Sequence, residues 1–476
     1  MNGVTIRTTT YDRATLDSAA LERFAGGLEG ELLSRESPGY DAARALWNAM
    51  IDRSPALIAR CRTTGDVVRA VHFAREHGLP IAVRGGGHNI AGTALCDDGL
   101  VIDLSPMKGV RVDAERRTAR VQAGATLGDM DRATQEQGLA TSLGINSTTG
   151  VAGLTLGGGF GWLTRKYGLT VDNLLSAEVV TADGERVTAS EREHPDLFWA
   201  LRGGGGNFGI VTEFEYRLHP VGPEVLAGMV IHPLGEARTL LRRYREVAMA
   251  APDDLTIWVV MRLAPPLPFL PAEVHGTPIL VFAALYAGDI AEGERAMQPL
   301  RAIGTPIADV IGPMPYAGFQ TAFDPLLTPG ARNYWKSHNF TSLEDGLLDL
   351  LVRYAGSLPG PECEVFIAQL GGAASRVPVS ATAYAQRDAR FTMNVHARWS
   401  DASQDEEYTT WARALFEAGA PYATGGAYVN FLTEDETARV REVFDGNYDR
   451  LVAVKTRYDP RNIFRFNMNI PPSSGS

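Results

Sequence analysis

The chain has 476 residues, 50 of them glycine, with 45% hydrophobic and 21% charged residues; this balance excludes disorder and collagen and can fill the cores of two or three domains. Subtracting 56 acidic from 45 basic residues leaves −11, without long like-charge blocks. The expected partner is therefore a small molecule, not nucleic acid or an anionic membrane. Met1 to Leu21 holds no apolar core of signal-peptide length, and no apolar run approaches about 20 residues, so a cytoplasmic chain that spans no membrane is expected. Cys61, Cys96 and Cys363 are far apart and in no metal spacing, which predicts free thiols and no metal site.

Residues 1–50 read as a helical lead-in, with apolar residues at helical spacing over Ala14 to Phe24 and Tyr40 to Met50. From Pro55 the texture alternates. The pattern predicts a strand over Ala56 to Cys61, an amphipathic helix over Gly65 to His77, a strand over Leu79 to Val83 entering Gly85-Gly86-Gly87, and a strand over Gly99 to Leu104. Val110 to Val112 and Ala119 to Gln122 flank a polar turn, and Ala177 to Thr181 and Arg186 to Ala189 flank Asp183-Gly184, a strong hairpin signal. Hairpins are scarce in a purely parallel sheet, so residues 51–221 are expected to form a mixed α+β domain.

His219-Pro220-Val221-Gly222-Pro223 reads as a linker. In residues 222–420, apolar runs at Leu255 to Met261, Ile279 to Tyr286, Glu364 to Leu370 and Phe391 to Trp399 alternate with helices near Glu236 to Ala250, Glu292 to Ile303 and Asp405 to Gly419. That pattern predicts one antiparallel sheet covered by helices. The Pro-rich run Ala264 to Pro271 reads as a surface loop, which could be simply packed, line a substrate entrance or make a dimer contact. Residues 421–476 return to glycine and aromatics, and no internal repeat is present.

The glycine excess is local. Gly85 to Gly209 spans 125 residues with 23 glycines, in clusters at Gly85 to Gly87, Gly157 to Gly161 and Gly203 to Gly209. Consecutive glycine amides can form an anion-binding concavity, which suggests three backbone cradles for a pyrophosphate. Gly204-Gly205-Gly206-Asn207-Phe208-Gly209 formally matches a dinucleotide fingerprint, but a helical pattern precedes it and a β-rich one follows, the reverse of what that motif needs. His88 directly follows the first cluster, where an imidazole could be nucleophilic, acid/base, or linked to a cofactor.

At these residues the sequence resembles the berberine bridge enzyme-like flavoproteins, with their vanillyl-alcohol-oxidase or PCMH-type FAD domain. The carriers are Arg84-Gly-Gly-Gly-His88, Gly150 to Gly161, Gly168 to Asn173, Asp196 to Gly209, Tyr428-Val429-Asn430 and Tyr458 to Phe464. The resemblance implies a two-domain fold with FAD at the domain interface and a C-terminal segment returning to the FAD domain. It implies cofactor contacts at Arg84, Gly85, Gly86, Gly87, His88 and Asn89, then at Gly144, Asn146, Gly150, Gly153, Gly157, Gly158, Gly159 and Gly161. Further contacts are implied at Asp172, Asn173, Gly204, Gly205, Asn207, Phe208, Gly209, Ile210 and Val211, and near the C-terminus at Tyr428, Asn430, Asn467 and Asn469.

His88 matches the family histidine that bonds the flavin covalently. Asn146 stands where many relatives attach the ring a second time through cysteine, so a single attachment is expected. Many relatives carry Tyr-x-Asn-Tyr and use the second tyrosine as base; here Phe431 replaces it, which leaves Tyr428, His396, Asn394 and Thr392 as catalytic candidates. The last three share one face of a strand by alternation. Tyr334, Trp335 and Lys336 are candidates for the pocket wall. The expected activity is removal of a hydride from an alcohol, sugar or secondary metabolite to FAD, with O2 as acceptor. The alternatives are a dehydrogenase using another acceptor and a redox-inactive ligand-sequestering flavoprotein. A monomer or homodimer is expected.

Overall fold

The computed structural model describes residues 3–10 and 12–473. Its lead-in departs from the helical expectation. Val4–Arg7 and Arg13–Leu16 pair as an antiparallel hairpin, and only Ser18–Gly27 and Tyr40–Arg44 are helical. Glu31–Ser34 is a strand on the edge of the first sheet. Residues 45–50 leave the helical path because their polar and aromatic groups are held elsewhere: the Trp47 amide donates to Gly87 O (3.1 Å) and Asn48 Nδ2 to Ile90 O (3.1 Å).

That sheet runs Glu31–Ser34, Leu57–Arg60, Leu100–Asp103, Ile81–Arg84, with the last three strands parallel. Helix Thr64–Glu76 connects two of them and starts at a capping box, in which Thr63 and Asp66 each accept the other's amide. A five-stranded antiparallel sheet follows, ordered Arg186–Ser190, Leu174–Val180, Ile210–Arg217, Thr118–Gln122, Val110–Asp113. Both predicted hairpins are present in it. The predicted linker contributes His219–Pro220, which pairs with Leu139–Ala140.

An eight-stranded antiparallel sheet built between Glu224 and Trp399 forms the second half of the fold. Alternation divides its side chains. Ile257, Val259 and Met261, Leu280 and Phe282, Val365 and Ile367, and Met393 and Val395 pack under helices Ala237–Ala250, Ile290–Arg301, Asp345–Ala355 and Asp405–Gly419. The opposite face carries Trp258, Val260, Arg262, Phe366 and His396 and looks onto a cavity shared with the two preceding sheets. The molecule is α+β, and its halves meet at that cavity.

Candidate active site

One continuous cavity of about 370 Å³ runs from the first glycine cluster to the open face of the large sheet. Strand Ile81–Arg84 delivers Gly85-Gly86-Gly87-His88-Asn89 to its wall. The backbone N–H groups of these five residues donate to no protein acceptor among the described residues. Five consecutive free amides form a concavity of partial positive charge, suited to an anion. Gly86 permits this because its Cα packs directly on Gly150, where a Cβ would collide with backbone.

The middle cluster is not a cradle. The Gly157 and Gly158 amides donate to Thr155 O, the Gly159 amide to the Tyr428 hydroxyl (3.1 Å), and the Gly161 amide to Thr164 Oγ1 (2.9 Å). Gly158, Gly159 and Gly161 lie outside the cavity lining; side chains placed there would meet Tyr384, Thr170 and the Leu143 carbonyl. Gly157 does line the cavity, beside Gly144, Gly150 and Gly153. The third cluster divides: Gly204 and Gly205 donate to Ala200 O and Leu156 O (2.9 Å each), whereas the Gly206 and Asn207 amides are free among the described residues. Helix Pro195–Leu201 precedes this cluster and strand Ile210–Arg217 follows it, so the formal dinucleotide fingerprint is a false match.

His88 is fixed by a relay. Thr148 Oγ1 donates to Asn146 Oδ1 (2.7 Å) and therefore accepts from His88 Nε2 (2.9 Å). That assigns the proton to Nε2 and leaves the lone pair on Nδ1. Burial pushes the imidazole down to about 4, so it is neutral, and Trp47 stacks on it at 5.2 Å. No cysteine approaches: Cys61, Cys96 and Cys363 are buried free thiols, each raised by burial.

The C-terminal segment closes the middle of the cavity. The Tyr428 oxygen accepts from the Gly159 amide and from Asn430 Nδ2 (2.9 Å), and burial pushes its phenol up to about 12. It is therefore a neutral hydroxyl near pH 7. Asn430 fills the space beside Gly157. Phe431 meets Tyr428, Trp335, Phe160 and Phe366 edge-on.

Across the large sheet, register places Ile279, Arg262, Glu364, His396 and Trp335 side by side on five neighbouring strands. Arg262 Nη1 donates to Glu364 Oε2 (2.8 Å), and Glu364 Oε1 lies 3.6 Å from His396 Nδ1. Burial pushes the Glu364 carboxyl up, but the Arg262 guanidinium, His396 and Arg398 together outweigh it and the net shift is downward. His396 is lowered by burial, against the opposing pull of Glu364. The Asn333 amide is oriented by its donation to Ala331 O (2.8 Å), so its Oδ1 accepts from His396 Nε2 (2.9 Å). Nδ1 of His396 and the Glu364 carboxylate are thus two acceptors facing one gap.

Several sequence candidates sit elsewhere. Thr392 and Asn394 share the face of His396 but lie outside the cavity lining; Thr392 donates to Asn339 Oδ1 (2.8 Å). Asp172 is held by both terminal nitrogens of Arg387 (2.7 and 2.8 Å), Asn173 bonds Tyr167 O and Leu169 O, and Phe208 is core. Arg84 donates to Ala43 O, and Asn469, like Arg84, is outside the lining, whereas Asn89, Asn146, Asn207, Gly209, Ile210, Val211 and Asn467 are in it. Of the aromatic segment only Trp335 reaches the cavity, since Tyr334 and Lys336 turn to Asp435 (2.6 and 2.9 Å). Pro265, Leu267 and Leu270 of the Pro-rich loop line the cavity. Sequence reasoning missed Trp47, Arg262 and Glu364; the available signal was an isolated charge within each of two apolar strands.

Residues 55–190 match the family model of the FAD binding domain, and residues 427–471 that of berberine and berberine-like proteins. An uncharacterized FAD-linked oxidoreductase of Bacillus subtilis is 32% identical over 455 residues, covering 94% of this chain and 97% of the relative. The (R)-6-hydroxynicotine oxidase of Paenarthrobacter nicotinovorans is 32% identical over 471 residues, covering 94% and 97%. Among solved structures, 6-hydroxy-D-nicotine oxidase from Arthrobacter nicotinovorans superposes with a TM-score of 0.83 at 31% identity, covering 94% of this chain and 98% of its own. Xylooligosaccharide oxidase from Myceliophthora thermophila gives 0.83 at 26% identity, covering 96% and 100%. No helix among the described residues is long and apolar enough to cross a membrane.

Proposed function

The chain belongs to the berberine bridge enzyme-like FAD-linked oxidoreductases, and from that premise we propose an oxidase of a small organic substrate, with FAD joined through His88 alone and O2 as acceptor. The observation that carries this reading is the single cavity joining the free amides of Gly85 to Asn89 to the row Arg262, Glu364, His396. Those amides, with Gly206 and Asn207, fit a pyrophosphate, and Asn467 brings a buried, unpartnered Oδ1 to the same wall. Bound FAD supplies a two-electron acceptor that O2 regenerates with release of hydrogen peroxide.

The chain's own groups do the rest. The Asn146–Thr148 relay presents Nδ1 of neutral His88 for covalent attachment. Nδ1 of His396 accepts the substrate proton, and the Glu364 carboxylate stabilises the imidazolium that results. The Tyr428 hydroxyl keeps its own proton to donate, while Phe431 and Trp335 exclude water from the centre of the cavity.

The test joins three readings. Acid-precipitated protein should stay yellow and His88→Ala should lose the colour; an anaerobic substrate should bleach the visible flavin band; air should restore it with stoichiometric peroxide. A colourless precipitate removes the covalent bond, and turnover with dyes but without oxygen uptake makes the enzyme a dehydrogenase.

A further inference from the structure

Residues 45–50 belong to no helix or strand, yet they bond to both halves of the fold. Toward the first glycine cluster, the Trp47 amide donates to Gly87 O (3.1 Å) and Asn48 Nδ2 to Ile90 O (3.1 Å). Toward the large sheet, Trp47 Nε1 donates to Leu327 O (2.9 Å), and Asn48 Nδ2 donates to Asn333 O (3.0 Å) while its Oδ1 accepts the Asn333 amide (2.9 Å). Two adjacent buried side chains thus span the seam between the halves. Each also reaches one histidine of the site. The Trp47 ring stacks on His88 at 5.2 Å with 20° between the planes. Asn333, which Asn48 holds by both backbone groups, accepts from His396 Nε2 (2.9 Å). The Arg398 guanidinium joins the two arms, lying 5.4 Å from the centre of the Trp47 ring and donating to Asn333 Oδ1 (3.3 Å).

We propose that Trp47 and Asn48 are positioning residues for the two histidines: Trp47 sets the plane of His88 for flavin attachment, and Asn48, through Asn333, sets the ring of His396 for proton transfer. In an imidazole Nε2 lies close to the axis about which the ring turns, so the bond to Thr148 Oγ1 fixes the tautomer of His88 but not its plane. The stacked indole face supplies that restraint and aims Nδ1 in one direction. Asn333 holds the Nε2 proton of His396 and so keeps the Nδ1 lone pair toward Glu364. The inference rests on the roles that the oxidase reading gives these histidines. Attachment joins Nδ1 of His88 to a methyl carbon of the flavin: one C–H bond breaks, its electron pair passes by way of the flavin to O2, and the protons of that bond and of Nε2 leave with it as hydrogen peroxide.

Flavin is measured in the acid precipitate and in its supernatant for Trp47→Leu and Trp47→Phe. Leucine removes the face, so the acid-stable fraction should fall at least about threefold with total flavin per chain unchanged. Phenylalanine keeps a face without the Nε1 donor and should stay within about twofold of the wild type. Equal losses in the two variants would assign the effect to the bond with Leu327 and overturn the Trp47 arm. Loss of total flavin in step with the acid-stable part makes Trp47 a structural residue and overturns it as well. The Asn48 arm is read as the rate of anaerobic bleaching by one substrate. Asn48→Ala and Asn333→Ala should each slow it at least about tenfold, and the double variant should be no slower than Asn333→Ala, because the first residue acts through the second. Losses that multiply overturn this arm. A colourless wild-type precipitate removes the attachment reading and the Trp47 arm together, whereas a coloured one with unaffected Trp47 variants removes the inference alone. A His396→Ala protein that bleaches as fast as the wild type removes the base reading and the Asn48 arm with it.

Discussion

Lys455 tests whether the C-terminal segment is a structural strut of the flavin site. The ammonium is 0% exposed and donates to Asp459 Oδ2 (2.7 Å), Asn207 O (2.8 Å) and Phe464 O (2.9 Å). Asp459 in turn accepts the amides of Ile463 (2.8 Å) and Phe464 (2.8 Å), and Asn207 bonds Gly204 O and Met468 O. One cation therefore ties the last helix, the C-terminal tail and the third glycine cluster together. Lys455→Met strands a buried carboxylate and two carbonyls, a loss of about 3–5 kcal/mol, or about 3–5 °C in melting temperature for a chain of this size. In a His88→Ala background, where FAD can dissociate, its Kd should rise at least about tenfold, because Asn207 lines the flavin cavity. Adding Asp459→Asn removes the stranded charge but keeps an acceptor, and should recover about half of the loss. Arg441→Met at the exposed pair with Asp449 should leave the melting temperature within about 1 °C. Differential scanning calorimetry and flavin titration read these effects. A Lys455→Met protein that melts with the wild type and binds FAD equally refutes the reasoning.

Thr148→Val removes the hydroxyl that fixes the His88 tautomer, so the covalent flavin fraction after acid precipitation should fall at least about threefold, with Thr148→Ser restoring it. Turnover should require neutral His396; because burial lowers that group, the acid limb of the kcat profile should lie below pH 6.5. Glu364→Gln should move the limb further to acid, since the carboxylate is what supports the protonated form. Asp131 is buried between the two halves with one oxygen unpartnered, and burial pushes its carboxyl up from 3.8 to about 7 against the hydrogen bond from Gln320. A raised folded-state value favours the fold fully below the unfolded value and loses that contribution as pH rises through 7. Asp131→Asn should therefore stabilise the fold by up to about 4 kcal/mol at pH 8 and by about half of that or less at pH 5, with a correspondingly larger rise in melting temperature at pH 8; equal gains at both would refute the assignment.

The parts of the site legible in the sequence are those built from backbone. Gly85 to Gly87 can be read because a run of free amides needs residues without Cβ, and both hairpins can be read because turn chemistry is local. The middle cluster misleads for the same reason: Gly158 and Gly159 are required by Tyr384 and Thr170, distant in sequence, and no local pattern separates a ligand's demand for space from a neighbour's. The row Arg262, Glu364, His396 was half legible. Alternation placed His396 on the right face, but its partners follow from register between strands over 100 residues apart, as for Arg262 and Glu364. Residues 45–50 carry a helical pattern, yet Trp47 and Asn48 are drawn to His88 and Asn333, and tertiary contacts override the local preference.

Phe431 offers the sharpest test of where the proton goes. In relatives with tyrosine at this position the phenol is the base, whereas here the ring is fixed edge-on by Trp335, Phe366, Phe160 and Tyr428, four aromatic neighbours that accept no proton. If His396 has taken over the role, Phe431→Tyr adds a phenol to an already competent site, and the acid limb of kcat should not move. His396→Ala should lower kcat by about 10²–10⁴. In Phe431→Tyr with His396→Ala the phenol takes the place of the imidazole as proton acceptor, so the surviving activity should gain a limb that rises toward pH 10, where tyrosine ionises. The measurement is kcat against pH for the three variants with one bleaching substrate. A single Phe431→Tyr change that raises wild-type kcat tenfold at neutral pH would mean that His396 was idle and that the wild-type site works without a base. An unchanged profile in Phe431→Tyr, with a shifted one in the double variant, places the proton acceptor on the sheet rather than on the C-terminal segment.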